Sequence, residues 1–337
     1  MNKKIFKLSY FIIILKIIVL REDNDMKMKL AGIIAITLLV ANAFPALGTI
    51  IEKDNVSDCQ NIGDRGGLFR QLPSPPDDPM PTCWPSDLNE GLRVYEDFMD
   101  VSNPICHIHW WGQAIKQIND TWYPGNPEGM VFDIIFYEDD SGSPGTEVYT
   151  FSDISPIIIG TGIMYEYPDW PEGPSELYYF EADLNLCFDL SNGWVSIIKK
   201  YSSDDSIFGW SESSDGNDNL YWNYDKQPND VAFILAESGE PDLEINVKGG
   251  LGVTANFNNI GNETITNAPV DLLVYGGMLS KINKHKRITI DTLPPDINGS
   301  IGIPLILGFG KISIGVIADN VVEYKSGFQL LFLTIIK

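Results

Sequence analysis

Apolar and polar positions in this 337-residue chain fall into two textures. Before residue 49 the apolar residues come in long runs, Ile5 to Leu20 broken by Lys7 and Lys16, and Leu30 to Val40 uninterrupted by charge. From Arg93 onward they come in short segments punctuated by Gly, Pro, Asp, Asn and Ser, which is the pattern of strands joined by turns. The segments predict strands over Val94–Val101, Ile105–Trp111, Met130–Tyr137, Glu147–Ser152, Leu177–Leu184, Trp194–Tyr201, Ile207–Trp210, Asn219–Tyr224 and Val231–Ala236. Only Gln113 to Asn119 reads as helical. Many short strands at even spacing predict an all-β, two-sheet sandwich of jelly-roll type over residues 93–238.

The texture shifts at Glu237-Ser238-Gly239-Glu240-Pro241, since all eight Trp lie at or before Trp222. Beyond it, Asp242–Lys248, Leu251–Ile260, Val270–Tyr275, Arg287–Thr292, Gly299–Ile306, Lys311–Asp319 and Gly327–Thr334 predict an immunoglobulin-like sandwich over residues 241–337, without a Cys-Trp-Cys core. Residues 49–92 read as a Pro/Gly-rich lead-in, because Gly63 to Gly67 and the run Pro73 to Pro81 suit neither helix nor central strand.

The early runs need a different reading. In residues 26–48, Lys27 and Lys29 precede the apolar stretch, and Ala46-Leu47-Gly48 supplies small residues for cleavage. This is a signal peptide, and it predicts a mature chain starting near Thr49. Residues 1–25 admit two explanations: a mis-called start with Met26 or Met28 as initiator, or a retained membrane hairpin made of 5–20 and 30–47. The hairpin would carry Lys16 near mid-bilayer, at a cost of roughly 2.5–3.5 kcal/mol. The tail Phe328 to Ile336 is too short to span a membrane and reads as a final strand.

Charge narrows the partners. The whole chain carries −23, and removal of the leader leaves 16 basic against 43 acidic residues. Such a surface repels phosphates and anionic membranes, which argues against nucleic acid and against any membrane contact beyond a retained leader. The acidic excess suits solubility or life in salt, with divalent cations as natural counter-ions. Four cysteines, Cys59, Cys83, Cys106 and Cys187, predict two disulfides in an exported chain. Of three connectivities, Cys59–Cys83 with Cys106–Cys187 ties the lead-in and joins two strands of the first sandwich. Sequons at Asn55, Asn119, Asn262 and Asn298 permit glycosylation.

Three groups carry candidate chemistry. In His107-Ile108-His109-Trp110-Trp111, strand alternation puts both imidazoles and Trp111 on one face, so two nitrogens could bind zinc or iron. A third ligand is missing from the local sequence, Asp120 being the next carboxylate, and the ordinary reading is two half-exposed strand histidines. The acidic turns around Asp139, Asp140, Asp215, Asn217 and Asn219 are candidates for Ca2+, although Asp215-x-Asn217-x-Asn219 fails as an EF-hand at Leu220 and Lys226. Against that stands an ordinary hairpin turn whose side chains bond their own backbone. Trp122, Tyr123, Trp170, Tyr221, Trp222 and Tyr224 are candidates for stacking on sugar rings, although most tryptophans in a sandwich are core. Gly-x-Ser-x-Gly, His-Glu-x-x-His and phosphate-loop motifs do not occur, so no catalytic residue is assigned and no cofactor beyond calcium is expected.

The residues Val94-Tyr95-Glu96-Asp97-Phe98, Ile108-His109-Trp110-Trp111-Gly112, Asp133 to Tyr137 before Gly142-Ser143-Pro144-Gly145, Trp194-Val195-Ser196-Ile197, Trp210 and Asp230 to Phe233 resemble a jelly-roll module of exported bacterial and archaeal proteins. Gly249 to Val253, Asn258 to Asn262 and Gly308-Phe309-Gly310-Lys311 are similar to immunoglobulin-like modules of archaeal surface proteins, akin to bacterial cell-adhesion-related (CARDB-like) domains. The resemblance implies an extracellular or cell-surface location and transfers no catalytic residue. The sequence thus predicts a non-catalytic binding or adhesion module facing an extracellular polysaccharide or a cell-surface protein. A polysaccharide-active enzyme and a structural spacer are the competing readings.

Overall fold

The computed structural model describes residues 67–76, 83–119, 121–165, 173–237 and 243–337. Among them there is no α-helix, only one 3-10 turn, Met278–Ser280. The leader, Cys59 and Trp170 lie outside the described residues. The described residues pack as one compact unit.

Four sheets build that unit. A nine-stranded sheet is centred on the long strand Ile105–Ile118, which pairs with Ser175–Phe188 on one side and with Phe233–Ala236 and Ile207–Ser213 on the other. A six-stranded sheet runs Asp225–Gln227, Leu220–Trp222, Val94–Phe98, Gly193–Tyr201, Val131–Asp139, Pro144–Ile154. Alternation aims Val94, Phe98, Phe132, Ile134, Phe136, Val195 and Ile197 inward, where they meet Trp110, Phe180, Phe208, Trp210 and Phe233 from the larger sheet. The first half is therefore a β-sandwich with a largely aromatic core. Trp110 stacks on Phe180 at 5.4 Å, and Phe132 meets Phe208 edge-on at 5.1 Å.

The second half pairs a three-stranded sheet, Leu243–Lys248, Val253–Asn259 and Asn298–Ile303, with a five-stranded one containing Ile265–Gly276, Ile282–Leu293, Gly308–Ala318, Val321–Leu331 and Leu333–Ile336. Its core is aliphatic, with Val270, Leu272, Val274, Ile314 and Val316 fully buried. The two halves meet outer face to outer face. Trp111, Tyr165, Tyr179 and Ile234 pack on Leu273, Tyr275 and Ile317, and the Trp111 Nε1–H donates to the Tyr324 hydroxyl at 2.9 Å.

Several expectations are corrected. Gln113 to Asn119 is no helix, because Gln113–Ile118 continues the central strand with Ala114 and Ile115 buried, paired to Ile207–Gly209 and Thr121–Pro124; its few polar residues mimic helical spacing. The lead-in is not merely a linker. Gly67–Gln71 adds an edge strand on Phe233–Ala236, and Cys83–Pro85 pairs with Gly209–Ser211. Prolines flank these short pieces, as edge strands allow. Ile157–Tyr165, absent from the predicted strands, lies beside Ser175–Phe188. Asn219–Tyr224 splits into a two-residue hairpin in which Trp222 pairs with Asp225. Cys106 and Cys187 form the expected disulfide across 81 residues, which fits an oxidising compartment. Cys83 is buried against Gly209, where a Cβ would lie 2.5 Å from its Sγ.

Candidate functional site

Three places concentrate polar or aromatic chemistry. The first lies on the outer face of the six-stranded sheet, where alternation opposite to the core gathers Tyr95, Ile135, Tyr137, Trp194 and Ile198 with Tyr221. Arg93 organises its rim. The guanidinium stands 5.8 Å from the Tyr95 ring centroid and Nη1 donates to the Tyr137 hydroxyl at 3.0 Å. Burial, only partly offset by Arg93, pushes the Tyr137 phenol up to about 12, so it stays a neutral donor and acceptor.

The hairpin Leu220–Trp222/Asp225–Gln227 forms the edge of this sheet, paired to Val94–Phe98. Its connecting pair, Asn223 and Tyr224, has φ +49° and +75°, the two left-handed residues of a type I′ turn. Asn tolerates that region, whereas a ring-bearing residue there costs roughly 1–2 kcal/mol. Tyr224 is nonetheless 82% exposed, with its ring 6.1 Å from Tyr95.

The expected aromatic candidates therefore separate. Tyr221 and Tyr224 share this face, while Trp222 turns inward, packs edge-on against Trp84 at 5.7 Å and donates to the Pro85 carbonyl. Trp122 and Tyr123 sit half-buried on Thr121–Pro124, attached to the other sheet.

The second place is acidic. The turn around Asp139 and Asp140 is a hairpin tip whose Asp139 carboxylate accepts from the Trp194 indole at 2.9 Å and from the Gly142 amide. Asp215 accepts from Arg287 Nη2 at 3.3 Å and lies apart from it. Asn217 and Asn219 do converge, both donating from Nδ2 to Asp97 Oδ2 at 3.0 and 2.9 Å. Their backbone amides, with that of Asp218, cap the Asp230 carboxylate. Gly216, at φ +140°, makes room for it, since a Cβ there would lie 2.3 Å from Asp230 Cγ. Beneath this loop Glu96 is fully buried, with the Gln71 side chain and the Val231 backbone as polar neighbours but no hydrogen bond of good geometry. Burial first, then Asp230 and Asp97, holds its pKa well above the usual range, so the group favours protonation. The expected turns thus supply Asn217 and Asn219, whereas Glu96, Asp97 and Asp230 come from strands that sequence reading assigned to packing.

The third place is the histidine pair. Both imidazoles are 3% exposed rather than half-exposed, because this face abuts the second sandwich. The missing carboxylate arrives from the neighbouring strand, in register His107↔Asp183 and His109↔Glu181. His107 Nδ1–H donates to Asp183 Oδ1 at 2.6 Å, and its Nε2 stands 3.3 Å from Glu181 Oε1. Tyr179 donates to Glu181 Oε2 at 2.9 Å, so its oxygen accepts from His109 Nδ1 at 2.5 Å. Burial, reinforced by His107, depresses His109 to about 3, which leaves a neutral ring. Burial pulls His107 down too, but Glu181 and Asp183 outweigh it and raise its pKa. A cavity of about 350 Å³, lined by His107, Ser152, Asp153, Glu181, Asp183 and Asn185, opens beside the pair.

The alternation Tyr179-x-Glu181-x-Asp183 was the available signal for these partners, since a strand over Leu177–Leu184 puts all three on one face. Which face of which neighbour they meet depends on long-range register. The chain matches no protein-family model and no curated protein.

Proposed function

We propose that this protein is an exported, non-catalytic binding module, a jelly-roll-type sandwich followed by an immunoglobulin-like one, that holds an extracellular polysaccharide on the outer face of its six-stranded sheet. The observation that carries the reading is Tyr224. A hairpin that needs Asn-Gly carries a tyrosine in a strained left-handed conformation with its ring in solvent, an arrangement that folding does not favour and that ligand contact would reward. Sugar rings stack on such a ring, and Arg93, the Tyr137 hydroxyl and Asp225 are placed to take hydroxyl groups around it. The disulfide and the signal pattern of residues 26–48 support an extracellular or cell-surface location.

Affinity electrophoresis of the purified chain in gels containing different polysaccharides tests this. The expected result is retardation on at least one, lost in Tyr224→Gly, while the melting curve of the variant is unchanged or shows a gain of up to about 1 kcal/mol from relief of strain. Release of oligosaccharide products would favour the enzyme reading. Migration unaffected by every polysaccharide would favour a spacer, and retardation that survives Tyr224→Gly would place the ligand elsewhere.

A further inference from the structure

From the geometry of the histidine pair we infer a mononuclear transition-metal site, of zinc type, formed by His107 Nε2, His109 Nε2 and the Glu181 carboxylate. One atom from each residue lies within 4.8 Å of the others, a spread that small side-chain adjustments close onto an ion held at about 2.0–2.1 Å from each. What points to a ligand is the pair of ring nitrogens. His109 Nε2 is buried without a hydrogen-bond partner, and His107 Nε2 has only the 3.3 Å contact with Glu181 Oε1, although buried polar atoms are normally satisfied. The Nδ1 positions are taken: His107 donates to Asp183, and His109 to Tyr179, which is tied to Glu181. This is the outer arrangement that metal-ligating histidines use, the far ring N–H fixed by a carboxylate or hydroxyl so that the lone pair of the other nitrogen faces inward.

Without an ion the arrangement is electrostatically incomplete. A neutral His107 aims its Nε2 lone pair at Glu181 Oε1 from 3.3 Å, and a proton on His107 relieves that contact while leaving His109 Nε2 unsatisfied. A dication satisfies both nitrogens and the carboxylate together. Two imidazoles and one carboxylate suit zinc and its first-row neighbours rather than calcium, and a fourth position toward the adjoining cavity remains for water or an oxygen ligand. The local frame is rigid. The Cys106–Cys187 disulfide adjoins His107, and the strand bulges between Ile105 and His107, as strands do beside functional sites. The inference is independent of the polysaccharide reading.

The test is titration of the metal-stripped full chain with Zn2+ by calorimetry and with Co2+ by visible absorption. One equivalent should bind, the Co2+ adduct should show the intense visible bands of a low-coordinate site, and excess Ca2+ or Mg2+ should not displace the ion. His109→Gln and Glu181→Gln should abolish the signal. Asp183→Asn, whose side chain is 82% exposed and so does not endanger folding, should weaken affinity by about 10–100-fold. The third histidine, His285, is engaged by Asp271, and His285→Gln should leave the titration unchanged. Absence of stoichiometric binding in a folded chain, displacement by Ca2+, or binding that survives both Glu181→Gln and His109→Gln would overturn the site.

Discussion

Glu96 shows how one position can work against its own neighbourhood. It sits mid-strand between Val94 and Phe98 on the core-facing side, with Asp97 and Asp230 beside it and no hydrogen bond of good geometry. Its folded pKa lies above the unfolded value of 4.5, so the native state holds a proton that the unfolded chain gives up. The sign follows directly: stability from this residue is full below pH 4.5 and declines as pH rises through the elevated folded value. Glu96→Gln should flatten that decline and leave the protein more stable at neutral pH, as urea unfolding at stepped pH in the presence of chelator would reveal. A steeper decline in the variant would mean that ionised Glu96 is stabilised by something other than its protein neighbours. Single residues of this kind were poorly legible from sequence. Val94-Tyr95-Glu96-Asp97-Phe98 reads as a strand with two ordinary acids, and only the pairing of Leu220 with Glu96 and the approach of Asp230 from the facing sheet reveal the concentration of charge.

The strands themselves were more legible than their ends. Val131–Asp139, Gly193–Tyr201 and Ser175–Phe188 fall where alternating or continuous apolar runs put them. The errors share a cause. Gln113–Ile118 and Ile157–Tyr165 gain their strand character from their partners, Ile207–Gly209 and Thr121–Pro124 for the first and Ser175–Phe188 for the second, and the short edge pieces Gly67–Gln71 and Cys83–Pro85 exist only because a partner offers hydrogen bonds. The disulfide was predictable from the even cysteine count and joins the long strands Ile105–Ile118 and Ser175–Phe188 near their ends. Its loop of 81 residues corresponds to about 4.5 kcal/mol in the chain-entropy model. Cys106→Ala/Cys187→Ala should therefore lower the unfolding free energy by roughly 2–5 kcal/mol, measured by denaturant titration; a loss well under 1 kcal/mol would show that neighbouring strand pairing already restrains the unfolded loop.

The two sandwiches are held together by more than apolar contact. Asp271, wholly buried, is gripped by Arg70, by Arg287 Nε at 2.9 Å and by His285 Nε2 at 2.5 Å. Burial would raise its pKa, but His285, Arg70 and Arg287 outweigh that and hold it below the usual range. This contribution is present above the unfolded value of 3.8 and is lost as pH falls through the lower folded value, opposite in sense to Glu96. Arg70→Ala should destabilise by roughly 3 kcal/mol, the low end for a broken buried pair because Arg287 and His285 remain. Two separate melting transitions in the variant would indicate that the sandwiches had come uncoupled, and a loss within about 0.5 kcal/mol would mean that the pair matters little. None of this could be read from sequence, because Arg70 lies in a stretch that reads as lead-in and meets an aspartate 201 residues away.

That distance also sets an order of events. The strand Gly67–Gln71 is made early, yet its partner is Phe233–Ala236, with Arg70 opposite Ile234. At roughly 5–20 residues per second of synthesis, the intervening chain takes on the order of ten to thirty seconds to appear. During that interval the early strand has an unsatisfied backbone edge and an arginine without its carboxylate. Closure of the first sandwich, and the grip of Arg70 on the second, are therefore late steps of folding, completed only when nearly the whole chain is available.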